Sequence, residues 1–557
     1  MSLVDEIRVL ITQPTGRTSA GHPYLPQHAW IRFRDWVPHL LGDAPLVLRA
    51  VDHLEAQLGP PVADAARVLR QVVKTAQVTA PPDLWLLRHV LCALDQMGLL
   101  HALRSGAIVA ATDGDAIEQE LRIDLDFLLS RGILIRQGGG WRSSDTHSAR
   151  SALALSALPS HWPTDVGDRW CHALRGETSD LELLEEIMSF RPVNEPRQAP
   201  MWMPTGEDIE VGWRLVPLVL GCRAAGRIAS ILDRGRITVE DLSPLPPTLR
   251  ASSLALLTHC GACDEAGTLT SSGARMLARG PGPFGIIEAY HPYMRALPQV
   301  LREGRGAVHV SRGTNVAASQ DANRRTFQRA NEALDRYCAD VGFTFSLFIE
   351  HAVGRGEAIR QRWAIHGDAI AYVGVDLEAE ALAATDAERA AGALPKTLHL
   401  IRADIGQPTQ LTDALREAGL DPRGAVMVVG NGFHEVRNQT DDRMVEVLRG
   451  YAQAGIVLLF TEESALTLDD LLHTAWNTYH AGFRYVHLRS GQGLRPATPQ
   501  PPSRLGESLP ASWAECAERA GYTRLEAYCS RSRTIYPHTP PSGVNPSISV
   551  NHFFVPS

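Results

Sequence analysis

Cysteine is scarce in this sequence, and there is no surplus of positive charge. Only eight of the 557 residues are cysteines, scattered along the chain, which indicates reduced thiols and a cytoplasmic location. Cys260 and Cys263 form a close pair, but no further ligands are placed to complete a zinc site, so we interpret both as small buried residues. The net charge of −8 argues against a general affinity for nucleic acids or anionic membranes.

Long apolar runs are also missing. No stretch approaches the roughly 20 apolar residues that cross a bilayer, and no basic segment followed by an apolar core opens the chain, so we expect neither a membrane span nor a signal peptide. The hydrophobic fraction of 44% and the charged fraction of 21% are those of an ordinary soluble protein. The length leaves room for about two to four domains.

Four segments in the C-terminal half share one pattern. Each begins with a short apolar run and ends in a carboxylate, an amide or a glycine, and helical segments separate them. Such runs are typical of strands buried on both faces of a parallel sheet, whose carboxyl ends line a ligand-binding crevice. The pattern predicts a β-α-β-α-β-α-β order from residues 345–356, 372–378, 401–404 and 425–435.

The polar residues at these strand ends suit a nucleoside cofactor. Gly354 and Gly356 let the backbone pass close to a ligand. Asp376 ends the second strand, where a carboxylate can accept both hydroxyls of a ribose, and Asp404 ends the third, where it can receive an adenine amine. A dinucleotide-binding Rossmann fold is the alternative, because a lone Gly-x-Gly is weak evidence.

This order of acids resembles class I S-adenosylmethionine-dependent methyltransferases, in which three such acids hold the cofactor. Ala352 stands where that family has its first glycine, and alanine is the mildest replacement. The resemblance implies an α/β Rossmann-like core over residues 343–557 that binds S-adenosylmethionine. It also implies a set of cofactor-binding residues: Glu350, Ala352, Gly354, Gly356, Asp376, Leu377, Asp404, Ile405 and Asn431.

The preceding half is predicted to be mostly helical. Helices followed by a glycine-turn hairpin, as at residues 133–142, indicate winged-helix units. We expect a helical segment (1–80), a winged-helix-like unit (81–150), a helical region with a second such unit (151–280) and linker or lid helices (281–342). The acidic balance and the lack of a basic recognition helix favour a lid or homodimer contact over DNA binding.

His434 follows the fourth strand and faces the expected methyl group. As a general base, with Glu435 beside it, it would take a proton from a hydroxyl group or a carbon acid, because imidazole titrates near neutral pH. As a metal ligand, it would help to polarise a substrate carbonyl. A structural histidine at the sheet edge is the third interpretation.

Residues 431–439, 476–482 and 284–290 look like the corresponding segments of C-methyltransferase domains of modular polyketide synthases, of the mononuclear iron-dependent type. The resemblance implies methylation of a malonyl unit on an acyl carrier protein, and one iron (or manganese) ion on His434, Gln439 and His480. Three carboxylates are alternative ligands: Glu435, Glu462 and Glu463. We identify no carrier segment in the chain, so the acyl group would arrive in trans or be a free small molecule.

The sequence therefore predicts a methyltransferase of secondary metabolism, acting by metal-assisted C-methylation of a malonyl-type acyl group. O-methylation of a small aromatic metabolite, with His434 as base, is the alternative enzyme. A winged-helix DNA-binding regulator with a degenerate cofactor domain is the non-enzymatic alternative. The intact acids Glu350, Asp376 and Asp404 argue against degeneration.

Overall fold

The computed structural model describes residues 2–17, 23–36, 41–110, 116–159, 161–162, 165–177, 180–191, 202–308, 313–474, 476, 480–531 and 549–557. The chain forms two compact units. Unit 1 is built mainly from Met1–Val310 and Leu468–Val486, and unit 2 from Ser311–Thr467, His487–Ile535 and Val544–Ser557. Within the described ranges, no single helix is long and apolar enough to cross a membrane.

Helices dominate the first part of the chain. They are α1 (Leu3–Ile11), α2 (Gln27–Trp36), α3 (Ala44–Leu58), α4 (Ala63–Gln96), α5 (Leu99–Arg104), α6 (Ala116–Ser130), α7 (His147–Leu153), α8 (Val166–Leu174), α9 (Leu181–Ile187), α10 (Gly206–Ala224), α11 (Ile228–Arg234), α12 (Pro247–His259), α13 (Ser271–Arg279), α14 (Pro281–Glu288), α15 (His291–Arg295) and α16 (Leu297–Glu303). The later helices are α17 (Gly313–Val341), α18 (Glu357–His366), α19 (Ala379–Ala390), α20 (Pro408–Glu417), α21 (Asp441–Gln453), α22 (Leu468–Thr474), α23 (His480–Arg489) and α24 (Trp513–Arg519).

In the part of the chain that the structure describes, the strands form two small antiparallel sheets and one large sheet. The small sheets are formed by β1 (Gly16–Arg17) with β2 (Pro23–Tyr24), and by β3 (Leu134–Gln137) with β4 (Gly140–Ser143). The sheet contains β5 (Leu347–His351), β6 (Ala371–Asp376), β7 (His399–Arg402), β8 (Val426–Gly430), β9 (Val457–Glu463), β10 (Tyr522–Arg524), β11 (Ser530–Arg531) and β12 (Ser549–Pro556).

Helix α4 is the longest element of unit 1. It spans 34 residues and continues through Pro81 and Pro82, so the boundary predicted between residues 80 and 81 lies inside a helix. Proline normally ends a helix because it removes a hydrogen bond and clashes with the preceding turn. Here every residue from 75 to 88 is buried, and this packing stabilises a helix that the local sequence would interrupt.

The hairpin predicted after the first helices of the N-terminal half is confirmed. Strands β3 and β4 pair antiparallel around Gly138 and Gly139, both of which have positive φ. At the second expected hairpin, the described residues form only isolated bridges, one of them between Cys263 and Leu269. The assignment of winged-helix units stays a prediction.

The sheet of unit 2 has the order β10-β12-β9-β8-β5-β6-β7. Strands β5 to β9 are parallel, and β12 runs antiparallel to both β9 and β10. The Rossmann-like α/β core is therefore confirmed. The chain moves from β5 outward to β6 and β7 and then returns to β8 on the other side of β5. A ligand crevice is expected at this reversal, at the carboxyl ends of β5 and β8.

Helices cover both faces of this sheet. Alternate strand residues point to opposite faces, so Ile349 and Met427 enter a core with α20, α21 and α24. Phe348 and Val428 enter a second core with α17 and α18.

Helix α17 belongs to unit 2, although residues up to 342 were predicted to form a linker or lid. It is polar overall, and it packs on the sheet through a narrow stripe that includes Phe327, Ala330 and Leu334. Such a short apolar stripe at helical spacing is a weak sequence signal.

Candidate active site

The loop after β5 has an unusual backbone. Ala352, Gly354 and Gly356 have φ values of 59°, 52° and 73°, in the left-handed region that favours glycine. A Cβ atom at Gly356 would lie 2.9 Å from a methyl group of Leu394, so a larger residue would require Leu394 to move as well as straining the backbone. Ala352 adopts a backbone conformation that glycine adopts more readily.

Glu350 ties this loop to the helix that follows. The side chain is 1% exposed, and Oε2 accepts a hydrogen bond of 2.8 Å from the backbone N–H of Ile359 in the first turn of α18. Burial raises the pKa of Glu350 to about 8. Its neighbour His351 accepts a hydrogen bond at Nδ1 from the N–H of Ala352. The buried Nε2 of His351 has no hydrogen-bond partner among the described residues.

Asp376, which ends β6, lies beside the glycine loop. It is 7% exposed, and its two oxygens accept hydrogen bonds from the N–H groups of Gly354 at 3.4 Å and Glu378 at 3.1 Å. Burial raises the pKa of Asp376. The next residue, Leu377, is 48% exposed, so an apolar side chain is available beside a carboxylate.

The loops after β5, β7 and β8 meet around Gly432. A Cβ atom there would lie 3.2 Å from Ile405 and 3.4 Å from Ala352. Asp404 accepts a hydrogen bond of 2.8 Å from the N–H of Gly406, which shapes the loop after β7. Asn431 has a φ of 54° and donates its N–H to the carbonyl of Thr461 at 2.8 Å. The structure therefore brings together the predicted cofactor residues of three loops.

His434 lies two residues beyond this meeting point, in a short 3₁₀ turn formed by Phe433–Glu435. It is 6% exposed. Its Nδ1 atom lies 2.7 Å from Oε2 of Glu462, the penultimate residue of β9. The other oxygen of Glu462 accepts the N–H groups of Phe433 at 2.6 Å and His434 at 3.3 Å. Glu462 therefore fixes both the ring of His434 and the backbone that carries it.

The charge state of Glu462 depends on opposing effects. The side chain is 1% exposed, and burial raises its pKa to about 8, while the N–H groups of Gly432, Phe433 and His434 act in the opposite direction. These three donors favour the carboxylate once it forms.

The other ring nitrogen of His434 faces Glu435. Oε1 of Glu435 lies 3.4 Å from Nε2, and the Glu435 side chain is 37% exposed. Oε2 of Glu435 accepts a hydrogen bond of 2.7 Å from Gln492. The ring of His487 lies edge-on to His434, with 4.8 Å between the centroids. His434 thus has a buried carboxylate on one side and a partly exposed carboxylate on the other.

Two of the three predicted metal ligands, His434 and Gln439, have side chains that the structure describes. The Gln439 amide donates to the carbonyl of Phe433 at 2.9 Å and accepts from Nε of Arg495 at 3.1 Å, so both ends hold the loop in place. The side chain of His480, the first residue of α23, lies outside the described residues. Across the described residues, no group of three or more His, Cys, Asp or Glu side chains is arranged to hold a metal ion.

Several solved structures are similar to the chain. The CurJ carbon methyltransferase is 12% identical, with coverage of 91% of this chain and 99% of that one and a TM-score of 0.36. The O-methyltransferase NcsB1 of neocarzinostatin biosynthesis is 17% identical over 61% and 96%, with a TM-score of 0.33. The dimethyltransferase RosA of Streptomyces davawensis is 14% identical over 62% and 98%, with a TM-score of 0.33.

No protein-family model and no curated protein matches the sequence. The structural similarities are too weak to transfer an activity, so the function of the chain rests on its own residues.

The sequence did not identify Glu462 as the partner of His434. Glu435 was predicted beside the histidine because it is the next residue, and Glu462 was considered only as an alternative metal ligand. The available signal was topological: Glu462 lies at the carboxyl end of β9, the strand that follows β8 along the chain, and neighbouring parallel strands bring their carboxyl ends to one edge.

Proposed function

We propose that unit 2 is an S-adenosylmethionine-dependent methyltransferase in which His434, oriented by Glu462, removes a proton from the methyl acceptor. The observation that carries this proposal is the buried pair of Glu462 and His434, joined at 2.7 Å. His434 lies two residues after Gly432, which packs against Ala352 in the glycine loop. Methyl transfer to an acceptor that must lose a proton needs a base and a loop that binds the nucleoside of the cofactor, both at the same crevice.

The residues present fit the cofactor. A carboxylate can accept about four hydrogen bonds, so Asp376, which accepts two from the backbone, can also receive both ribose hydroxyls. Asp404 would receive the adenine amine, and Leu377 would lie against the adenine ring. The unpartnered Nε2 of His351 offers a donor to a ligand acceptor. When bound, the cofactor supplies an electrophilic methyl group on a sulfonium.

The proton transfer follows from the tautomer of His434. Nε2 can accept a proton only if Nδ1 carries its hydrogen and donates it to an ionised Glu462. When Nε2 takes the proton of the acceptor, Glu462 stabilises the resulting imidazolium. Glu435, at 3.4 Å from Nε2 and partly exposed, provides a route for the proton to reach solvent.

A base is useful only for an acceptor that must lose a proton. A malonyl-type carbon, free or on a carrier protein, is the acceptor that we propose first, and a phenolic hydroxyl is the second. Because Gln439 is held by Phe433 and Arg495, the proposed mechanism uses no metal ligand from this loop. Activity should therefore survive dialysis against a strong chelator; activity that is lost and restored by iron would contradict the metal-independent mechanism.

The test is transfer of a labelled methyl group to a malonyl or β-ketoacyl thioester and, in parallel, to a phenol. We expect the His434→Ala variant to lose transfer by about 10²–10⁴-fold and to bind S-adenosylmethionine as the wild type does. His399→Ala, at an exposed position at the start of β7, is the matched control and should keep full activity. Full activity of His434→Ala would refute the assignment of the base.

A further inference from the structure

Unit 1 contains a cavity of its own, with a volume of about 830 Å³. Sites for small organic molecules usually measure about 300–1,000 Å³. Helices α4, α8, α10, α14 and α15 contribute to its wall, together with residues 158, 159, 161 and 162. Because several helices and a loop form it, the cavity belongs to the tertiary fold and not to a surface groove along one helix.

Aromatic rings form much of this wall. Trp162 and Trp213 are stacked, with their centroids 5.3 Å apart and 14° between their planes. Glu186 accepts a hydrogen bond from the indole N–H of Trp162 at 3.0 Å, which fixes that ring. Trp85 lies on α4, 5.3 Å from the ring of His291. Indole faces attract cations as well as apolar groups.

Glu288, the last residue of α14, lines the same cavity. It forms no hydrogen bond and no ion pair with any residue that the structure describes. Burial and the nearby charges of Asp168 and Asp165 raise the pKa of Glu288 to about 7. A carboxylate in this position is costly without a positive partner.

The cations of the cavity wall do not supply that partner. Arg169 forms ion pairs with Asp165, at 2.9 Å, and with Asp180. Arg295 is exposed, where water and salt screen its charge. Neither pairs with Glu288, so neither arginine of the cavity wall balances its charge.

The three imidazoles of the cavity do not supply it either. His161 lies 3.0 Å from a carboxylate oxygen of Glu186. His89 and His291 lie 5.4 Å apart, centroid to centroid. Burial lowers the pKa of His291 to about 4 and that of His89 well below its usual value, so both are neutral at pH 7. Nε2 of His89 is buried without a hydrogen-bond partner in the described part of the chain.

We propose that this cavity binds an organic cation with an apolar body, whose ammonium group pairs with Glu288 while the body lies against Trp85, Trp162 and Trp213. The neutral imidazoles of His89 and His291 offer hydrogen bonds to the same ligand. An organic cation fits better than a metal ion, because no metal-binding group of three His, Cys, Asp or Glu side chains occurs among the described residues.

The test is calorimetric titration of the full chain with phenethylamine. Two probes of similar size serve as comparisons: neutral 2-phenylethanol and anionic 3-phenylpropionate. We expect phenethylamine to bind at least about tenfold more tightly than either, because only the amine pairs with the carboxylate. Equal affinity for the alcohol and the amine, or no saturable binding of the amine up to millimolar concentration, would overturn the proposal.

Two variants locate the site. Glu288→Gln keeps the size of the side chain and should weaken phenethylamine binding by at least about tenfold. Glu265→Gln, the same change at an exposed position, should leave it unchanged, and unchanged binding by Glu288→Gln would overturn the proposal. Asp376→Ala, which impairs the proposed cofactor site of unit 2, should bind phenethylamine normally. Loss of amine binding in that variant would instead place the amine in the proposed cofactor site.

Discussion

The change of Glu462 to glutamine tests the proposed base most directly. Glutamine has the same shape, and its carbonyl oxygen can still accept the N–H groups of Phe433 and His434, which Glu462 accepts at 2.6 Å and 3.3 Å. Its amide nitrogen would then face Nδ1 of His434 and donate to it, which places the ring proton on Nε2. The ring would be held in the tautomer that cannot accept a proton.

The expected loss of turnover is about 10²–10⁴-fold, or about 3–5 kcal/mol in the activation free energy. The affinity for S-adenosylmethionine should not change, because the ribose and adenine contacts lie on other loops. The wild-type rate should rise with pH through about 8, since burial holds the pKa of Glu462 near that value and the pair acts with the carboxylate ionised. The variant should lose this pH dependence.

The assay is the initial rate of methyl transfer between pH 6 and pH 9.5, with thermal unfolding measured on the same preparations to confirm folding. Glu446→Gln, the same substitution at an exposed position on α21, is the control and should match the wild type. If Glu462→Gln is folded, binds the cofactor and turns over within about threefold of the wild type, then Glu462 does not orient a catalytic base.

Three further predictions concern the loop after β5 and its neighbours Glu350 and Asp376. Asp376→Ala should weaken S-adenosylmethionine binding by roughly 1.5–3 kcal/mol in calorimetry through lost charged hydrogen bonds, and tight binding of NAD instead would favour a dinucleotide fold. Ala352→Gly should raise the midpoint of thermal unfolding, because an alanine in the left-handed conformation costs about 1–2 kcal/mol. The greater freedom of glycine in the unfolded chain offsets only part of that gain in stability. The control is Ala383→Gly, at an exposed position of α19, which should lower the midpoint. Glu350→Gln should stabilise the protein at pH 9 by an amount on the order of a few kcal/mol but not at pH 4.5. The pKa of Glu350 in the folded protein, about 8, lies above its ordinary value of 4.5, so the stability of the wild type falls as pH rises between the two. Equal stability of wild type and Glu350→Gln at pH 9 would show that Glu350 is not buried as a neutral acid.

The sequence predicted the sheet of unit 2 well, for a local reason. A strand buried on both faces needs a continuous apolar run, and a strand end at a ligand crevice needs glycine or a polar residue. Both signals lie within a few consecutive residues, as in β6 and Asp376. The Gly-x-Gly pattern is a local signal of the same kind, and both Gly354 and Gly356 have a left-handed backbone.

The sequence was less informative where contacts between distant segments determine the structure. The prolines at 81 and 82 normally end a helix, yet α4 continues through them because its surroundings are packed. Residues 468–486 were assigned to the cofactor domain by their position in the chain, but their contacts place them in unit 1.

The chain by itself therefore determined the elements of the candidate site: the glycine loop, the carboxylates that end the strands, and the histidine after β8. Only the tertiary structure decided which carboxylate meets that histidine, because Glu462 lies 28 residues away along the chain and reaches His434 through the pairing of β8 with β9. The same holds for the cavity of unit 1, where Glu288 and three tryptophans come from separate segments. Hydrophobic periodicity and secondary-structure propensity describe residues that are neighbours along the chain. The charge state of a side chain and its hydrogen-bond partner depend on residues that are neighbours in space.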